Sequence, residues 1–180
     1  VDYGNDRVSV VGCIMLRACF ETMRKNSEGR SGDGIKRLLI CDTSFGNTTE
    51  YPDDFYLEYL DLTMGIMRDL PDVKCIFKPK NTEKHIVDYF SCDVKRGAYF
   101  KKIGRLRLNK QFVYCDNKTP IEYLIADADI VITMGMTSPS TIALLLRREA
   151  VYYDQTGNDQ HPMTRYMNAV VFDDKQLLIE

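Results

Sequence analysis

The regular alternation of short apolar runs with helical patterns, from residue 36 to the end of the chain, is the feature that most restricts the fold. Most runs are continuously apolar and rich in β-branched residues, which is typical of strands buried on both faces of a parallel sheet. The runs are 36-KRLLIC-41, 73-VKCIF-77, 112-FVYC-115, 129-DIVIT-133, 150-AVYY-153 and 170-VVF-172. They predict an α/β fold: a doubly wound, Rossmann-like, mostly parallel sheet of about six strands, with helices on both faces and right-handed crossovers.

Start signals for helices precede three of the intervening segments. In 52-PDDFYLEYLDLTMGIMRDL-70, Pro52 and two aspartates form a favourable first turn, and the apolar residues recur at helical spacing. The segment 119-TPIE-122 has the spacing of a capping box, with proline at the first helical position. Ser138-Pro139 gives the same start signal before a helix predicted over 140-STIALLLRRE-149.

The first 34 residues have a different character. They contain a seventh apolar run, 7-RVSVVG-12, the helical pattern 14-IMLRACFETMRK-25 and the Gly- and Ser-rich stretch 26-NSEGRSGDG-34. We expect residues 1–34 to be a connecting strand, helix and linker rather than a domain. Residues 35–180 are then a single Rossmann-like domain.

Composition excludes several classes of protein. A net charge of -2 argues against a domain that binds nucleic acid through its whole surface. The six cysteines form no CxxC pair, which favours buried thiols in the reducing cytosol over a disulfide framework or a zinc site. No apolar run reaches the ~18 residues of a membrane span. The sequence therefore predicts a cytoplasmic globular protein without a metal site.

Polar residues follow the first two strands of the array, where open α/β sheets bind ligands. The loop 42-DTSFGNTTEYPDD-54 offers the hydroxyls of Thr43 and Ser44 around Gly46 and Asn47, and glycine lets the backbone approach a phosphate closely. The alternative is a turn that caps the next helix. The second strand leads into 77-FKPKN-81, where Lys78 and Lys80 flank a proline; two point charges suit a diphosphate, although exposed lysines are common.

The third and fourth strands also end in polar residues. After the third, a base or ribose can lie against Tyr114 and the turn 115-CDNK-118, although an Asx turn explains that turn equally well. After the fourth, 137-TSPST-141 supplies four hydroxyls at the start of a helix, where free N–H groups and the helix dipole attract anions. Because a cap needs only one hydroxyl, the excess favours a phosphate site over a simple helix cap.

These residues resemble a known family. The segments 120-PIEYL-124, 126-ADADIVI-132, 137-TSPST-141 and 150-AVYYD-154 are similar to the nucleotide-binding C-terminal half of two-domain GT-B glycosyltransferases, especially those that build bacterial surface polysaccharides. The resemblance extends over roughly residues 36–180. The run 7–12 looks like the crossover strand that ends their N-terminal half. The resemblance thus implies that residues 1–34 come from a missing N-terminal half and that residues 35–180 are the nucleotide-binding domain.

The resemblance implies a role for each polar strand end. It implies metal-independent transfer of a sugar from a nucleotide-sugar donor to a glycan or lipid-linked acceptor, with no cofactor beyond that donor and with part of the catalytic site in the other half. It also implies that this chain alone is incomplete for catalysis. The implied ligands are Thr137, Ser138, Ser140 and Thr141 for the phosphates, Lys78 or Lys80 for the phosphate or leaving group, and Tyr114 with nearby backbone for the base.

Two departures from the family pattern leave the donor sugar open. Ile142-Ala143-Leu144 stands where many relatives have Glu-Ala-Leu, and 78-KPKN-81 has lysine where relatives that use a CMP-linked sugar have His-Pro. His161-Pro162 comes much later. His161 is a candidate ligand near the cleft or, alternatively, a cap or surface residue. His85 is expected to be solvated.

Other functions fit parts of the pattern. The loop 43-TSFGNTTEY-51 also resembles the FMN phosphate loop of flavodoxins, which implies a redox carrier. A sugar-nucleotide epimerase shares the two-domain architecture, and a non-catalytic binding domain is a third possibility. The basic stretch Lys95–Lys110, with aromatics between its cations, is either a solvated helix face or a contact with anionic lipid at the inner face of the membrane.

Overall fold

A computed structural model of the protein describes residues 17, 21, 36–46, 49–157 and 171–173. The strands are β1 (Lys36–Cys41), β2 (Val73–Lys78), β3 (Phe112–Tyr114), β4 (Ile130–Met134), β5 (Glu149–Tyr153) and β6 (Val171–Phe172). The helices that connect them are α1 (Asp53–Asp69), α2 (Glu83–Tyr89), α3 (Asp93–Leu108), α4 (Ile121–Asp127) and α5 (Ser138–Leu145).

The strands form one parallel sheet in the order β3-β2-β1-β4-β5-β6. Successive residues of a strand point to opposite faces, so Leu38 and Ile40 join a core with α1, α2 and α3, whereas Leu39 and Cys41 join a second core with α4 and α5. The predicted doubly wound, Rossmann-like fold is confirmed. The chain order reverses between β1 and β4, which is where such sheets bind ligands.

The six predicted strands within this array are confirmed to within two residues at either end. Their sequences were readable because strands that are covered on both faces must be apolar at nearly every position. The predicted elements over 7–12, 14–25 and 26–34 lie outside the described residues, apart from Arg17 and Glu21. The boundary at residue 34 stays a prediction.

The predicted helix starts were wrong in detail. The capping box at 119-TPIE-122 does not form, because Pro120 is itself the extended N-cap residue and the helix begins one residue later than predicted. At α5 the N-cap residue is Thr137, not Ser138; it makes no side-chain cap bond, and the helix ends at Leu145 rather than at residue 149. Proline is compatible with both N-cap and first-turn geometry because its φ suits both, so sequence alone does not fix the register.

Helix α1 holds the carboxyl ends of the central strands together. The hydroxyl of Tyr59 lies 3.0 Å from the carbonyl oxygen of Cys41 and 3.1 Å from that of Ile132, on β1 and β4 respectively. Tyr59 is fully buried. Its bonds fix the two strand ends that flank the reversal in chain order. Among the helices that the structure describes, none has the length and apolar character needed to cross a membrane.

Candidate functional site

A pocket of about 310 Å³ lies at the carboxyl ends of β1, β2 and β4, beside the turn that follows β3. Its walls come from all four strand ends that the sequence analysis selected. The lining residues are Cys41, Asp42, Thr43, Lys78, Pro79, Lys80, Asn117, Thr119, Ile121, Thr137, Ser138 and Pro139. A larger groove of about 740 Å³ lies among residues of the opposite, amino ends of the strands. We take the smaller pocket as the site, because ligands of open α/β sheets bind at the carboxyl ends.

The start of α5 provides one wall of the pocket. Thr137 precedes the helix, and its hydroxyl oxygen is buried without a hydrogen-bond partner among the described residues. Buried polar atoms nearly always have a partner, and either an ordered water or a ligand in the pocket could supply one to this hydroxyl. Ser138 is exposed at the same wall. The two hydroxyls and the free N–H groups of the first helical turn make this wall suited to an anion.

The other two hydroxyls of 137-TSPST-141 have partners in the protein. Ser140 is fully buried, and its hydroxyl donates to the carbonyl oxygen of Val151 at 2.8 Å and lies 3.0 Å from the hydroxyl of Thr133. The hydroxyl of Thr141 lies 2.7 Å from that of Tyr152. These bonds tie α5 to β4 and β5. Neither residue lines the pocket, and their role as phosphate ligands stays a prediction.

The turn after β2 forms the opposite wall. The side chain of Lys78 is buried, and its ammonium group donates to the carbonyl oxygens of Pro79 (3.0 Å) and Asn117 (2.7 Å). An ammonium group has three donors, so one remains for a ligand. Lys80 is exposed at the rim. Both lysines that were predicted from the sequence therefore reach the pocket.

Asp42 lies between these walls, and the sequence analysis did not select it. Its carboxylate accepts bonds from the backbone N–H of Lys80 (2.5 Å) and from the hydroxyl of Tyr56 (2.8 Å). Burial raises the pKa of Asp42 to about 7, although those two bonds and the charges of Lys78 and Lys80 oppose the shift. Its position directly after a buried strand was the sequence signal from which Asp42 could have been selected. The pocket thus contains an acid that titrates near neutral pH.

The loop after β1 contributes less than predicted. Thr43 is buried and lines the pocket. Ser44 does not line it; its hydroxyl oxygen lies 3.4 Å from the amide nitrogen of Asn81. Gly46 has a φ of +100° and a Cβ there would lie 2.9 Å from the carbonyl oxygen of Tyr89, so the loop turns tightly against α2. Asn47 lies outside the described residues.

Tyr114 does not line the pocket. Its ring stacks on Phe77, with 5.8 Å between centroids, and the guanidinium carbon of Arg107 lies 4.5 Å from its centroid. It packs against the core formed with α1 and α3, so the turn at Asn117 and Thr119, not this ring, borders the pocket. A base contact by Tyr114 stays a prediction. His161 lies outside the described residues.

Tyr51, which the sequence analysis did not select, contacts the loop that connects β4 to α5. Tyr51 accepts a bond from the N–H of Met136 (3.2 Å) and donates to the carboxylate of Asp154 (3.3 Å). Its ring covers Gly135, where a Cβ atom would lie only 2.2 Å from the ring carbon that carries the hydroxyl. Burial and the charge of Asp154 raise the pKa of Tyr51 to about 12, so it stays protonated as a donor.

Comparisons with solved structures support the fold. UDP-GlcNAc 2-epimerase from Methanocaldococcus jannaschii matches with a TM-score of 0.59 and 15% identity, over 91% of this chain and 43% of that one. KpsC, a beta Kdo 2,4 transferase from Thermosulfurimonas dismutans, matches with a TM-score of 0.43 and 11% identity, over 77% and 44%. The chain therefore spans less than half the length of either protein. At these identities the likeness to the epimerase shows a shared fold only, and the transferase match is too distant to carry an argument.

No curated protein sequence matches the chain at a significant level. The family model of the polysaccharide biosynthesis PFTS motif proteins does match, over residues 41–178. The string Pro-Phe-Thr-Ser is not present in this sequence, but Thr-Ser occurs twice, at Thr43-Ser44 and Thr137-Ser138, after β1 and β4. Since the match includes five of the six described strands and most of the chain, the protein belongs to the polysaccharide biosynthesis PFTS motif family.

Proposed function

We propose that this domain binds the diphosphate of a nucleotide-activated sugar in the pocket between β1, β2, β4 and α5, and that it is the donor site of a glycosyltransferase of surface polysaccharide synthesis. The observation that carries the proposal is the unpartnered buried hydroxyl of Thr137 at a helix N-terminus, in the same pocket as two lysines. Family membership supports a substrate from polysaccharide synthesis.

The pocket has the chemistry that transfer from such a donor needs. When the bond between the anomeric carbon and the phosphate oxygen breaks, negative charge develops on the leaving diphosphate. The ammonium groups of Lys78 and Lys80 and the N–H groups at the start of α5 can stabilise that charge without a metal ion. We accordingly propose metal-independent transfer, in which binding is unchanged by a chelator. In this proposal the acceptor site and the remaining catalytic groups lie outside this domain.

The first prediction separates ligand hydroxyls from structural ones. The double variant Thr137→Val, Ser138→Ala should bind a nucleoside diphosphate about tenfold more weakly, because one or two hydrogen bonds to charged oxygens are lost. Its thermal stability should stay close to that of the wild type, since Thr137 forms no cap bond. Isothermal calorimetry with CDP, UDP, GDP and CMP, preceded by a thermal-shift screen, measures the affinity and selects the base.

Ser140→Ala is the matched control. It removes a buried hydroxyl that bridges α5 and β5, so it should lower the free energy of unfolding by roughly 1–3 kcal/mol and leave the affinity nearly unchanged. Equal affinity in the wild type and the double variant would refute the phosphate role of Thr137 and Ser138. Stabilisation by FMN and by none of the nucleotides would favour the flavin-binding alternative instead.

The second prediction concerns Asp42. Replacing it with asparagine should strengthen binding of a nucleotide sugar at pH 8 by about fivefold, because a negative charge beside the diphosphate is removed. The asparagine oxygen can still accept from Lys80, and its amide can donate to Tyr56. As the pH falls from 8 to 6, the wild type should approach the affinity of the variant. Both phosphates of a nucleotide sugar are diesters, so the ligand does not titrate in this range.

Stability should show the same titration with a definite sign. The carboxyl group of Asp42 has a higher pKa in the folded protein than its ordinary 3.8, so the folded state binds the proton more tightly. The contribution of this group to the free energy of unfolding is therefore complete below pH 4 and is lost as the pH rises through about 7. Asp42→Asn should remove that pH dependence, whereas Asp72→Asn, an exposed change of equal charge, should not. Parallel pH profiles in all three proteins would contradict the assignment.

An epimerase acting on an activated sugar needs the same hold on the nucleotide, and the solved structure with the higher TM-score is an epimerase that shares the fold. The two candidates differ in their product. Incubation of the full enzyme with the preferred nucleotide sugar, followed by NMR of the sugar ring, would show an epimer without acceptor if this alternative is correct. A transferase gives a new glycosidic bond only when the acceptor is present.

A further inference from the structure

Helix α3 carries most of the basic stretch at Lys95–Lys110, and the structure divides its cations into two sets. Four of them bind carboxylates of the protein. The pairs are Lys95 with Asp53 and Asp54, Arg96 with Asp93, Lys102 with Asp61, and Arg107 with Glu83. The charges of these four cations are therefore offset by carboxylates within the protein.

The second set consists of Lys101 and Arg105 on α3 and Lys110 just after it. All three are exposed, and none pairs with a carboxylate of the described residues. Lys101 and Arg105 are four residues apart, so they lie on the same side of the helix. The unpaired positive charge within α3 therefore lies on one outward-facing side of the helix.

Exposed apolar side chains share that surface. Val94, Phe100 and Leu108 are 81%, 52% and 87% exposed, although helix α3 already contributes Tyr99, Ile103 and Leu106 to the core. A surface helix that buries one apolar face normally has a polar opposite face. The spacing of 94, 97, 101, 104 and 108 follows one stripe of the helix. We name the surface formed by these five positions with Phe100 and Arg105 the outer face of α3.

Two glycines make the outer face flat. Gly97 and Gly104 lie within the stripe, and a Cβ atom built at either would meet no atom within 4 Å. Packing inside the domain therefore does not explain them. Phe100 and Lys101 lie between the glycines in the sequence, and both are exposed. Such a combination of shallow relief, exposed large apolar groups and unpaired cations suits contact with the headgroup region of a bilayer.

We propose that the outer face of α3 docks on an anionic membrane surface. The cations are attracted to anionic headgroups, while Phe100, Leu108 and Val94 enter the boundary between headgroups and acyl chains. A nucleic acid is a poorer partner, because the chain has a net charge of -2 and the free cations are few. Each cation near such a surface multiplies the affinity about fivefold, so Lys101 and Arg105 together give roughly a 25-fold preference for anionic over neutral vesicles.

The absence of tryptophan from the sequence allows a direct test. In Leu108→Trp the new indole should shift its emission to the blue with vesicles of phosphatidylglycerol and phosphatidylcholine. Pure phosphatidylcholine should give little shift, and high salt should reverse the effect. Tyr123→Trp is the matched control: Tyr123 is 55% exposed on α4, which packs on the other face of the sheet, so its emission should not change.

Charge reversal completes the test in the full chain. Lys101→Glu, Arg105→Glu should abolish cosedimentation with anionic vesicles, whereas Lys36→Glu, Lys74→Glu, an equal charge change at the amino ends of β1 and β2, should retain it. Equal loss in both variants would overturn the proposal in favour of non-specific attraction. The proposal would also be overturned if the wild type did not bind the vesicles. If only the α3 variant changed the oligomeric state, the partner of this face would be a second copy of the chain, and the proposal would be overturned as well. Neither result affects the nucleotide site.

Discussion

Gly135→Ala should be among the most destabilising single substitutions in the domain, lowering the free energy of unfolding by about 3–5 kcal/mol. The residue has a φ of +66°, which costs a side chain roughly 1–2 kcal/mol. The new Cβ would also lie 2.2 Å from the ring of Tyr51. The ring must move, and its bonds to Met136 and Asp154 are then broken. Thermal unfolding should show a fall in Tm of roughly 10 °C for a chain of this size.

A double-mutant cycle identifies the cause. In a Tyr51→Ala background the clash is absent, so Gly135→Ala should cost only the backbone term of about 1–2 kcal/mol. Gly104→Ala is the opposite control: this glycine lies within α3 with open space around its Cβ position, so alanine should stabilise by roughly 0.5–1 kcal/mol. An equal cost of Gly135→Ala in both backgrounds would show that the Tyr51 ring is not the obstacle.

Lys78→Met should weaken nucleotide binding more than any other single change in the pocket, by about 10- to 100-fold. Methionine keeps the buried aliphatic length of the side chain but removes the only buried cation that lines the pocket. A charge-assisted hydrogen bond to phosphate is therefore lost where water cannot replace it. The carboxylate of Asp42 also loses a nearby positive charge. Calorimetry with the nucleotide that binds the wild type most tightly measures the effect.

Lys80→Met provides the comparison, since Lys80 lies only two residues after Lys78 but is exposed to solvent. Its effect should be smaller, and it should disappear in high salt, because exposed charges are screened and buried ones much less so. Lys84→Met, outside the pocket, should bind as the wild type does. Unchanged binding by Lys78→Met would mean that Lys78 serves only to join the carbonyl groups of Pro79 and Asn117.

Sequence was sufficient to predict the sheet because its central strands are covered on both sides. Leu38, Leu39, Ile40 and Cys41 are all buried, so nearly every position of β1 is constrained to be apolar. Helix starts were less predictable. At Pro120 and at Ser138 the choice of first helical residue depends on φ and ψ values that several neighbouring residues can adopt, and the tertiary contacts of the helix decide between them.

The position of the pocket could be predicted from sequence, but which of its residues face the pocket and which only support the fold could not. Parallel strands bring their carboxyl ends to one edge, so the polar residues after β1, β2 and β4 had to meet. Which hydroxyls face the pocket depends on the rotation of α5, and that rotation buries Ser140 and leaves Thr137 at the wall. Two further residues escaped selection, Asp42 and Tyr51, because their importance lies in contacts with distant residues, Tyr56 and Asp154.

The pocket is assembled from the ends of several different strands, and no single segment contains a binding unit. Opening of the sheet between β1 and either neighbour would separate Thr43 from Lys78 or from Thr137 and would destroy the site. A bound nucleotide therefore raises the free energy needed to open the central sheet as a whole, not only that needed to open one loop. Occupancy by substrate and integrity of the fold are in this way thermodynamically linked.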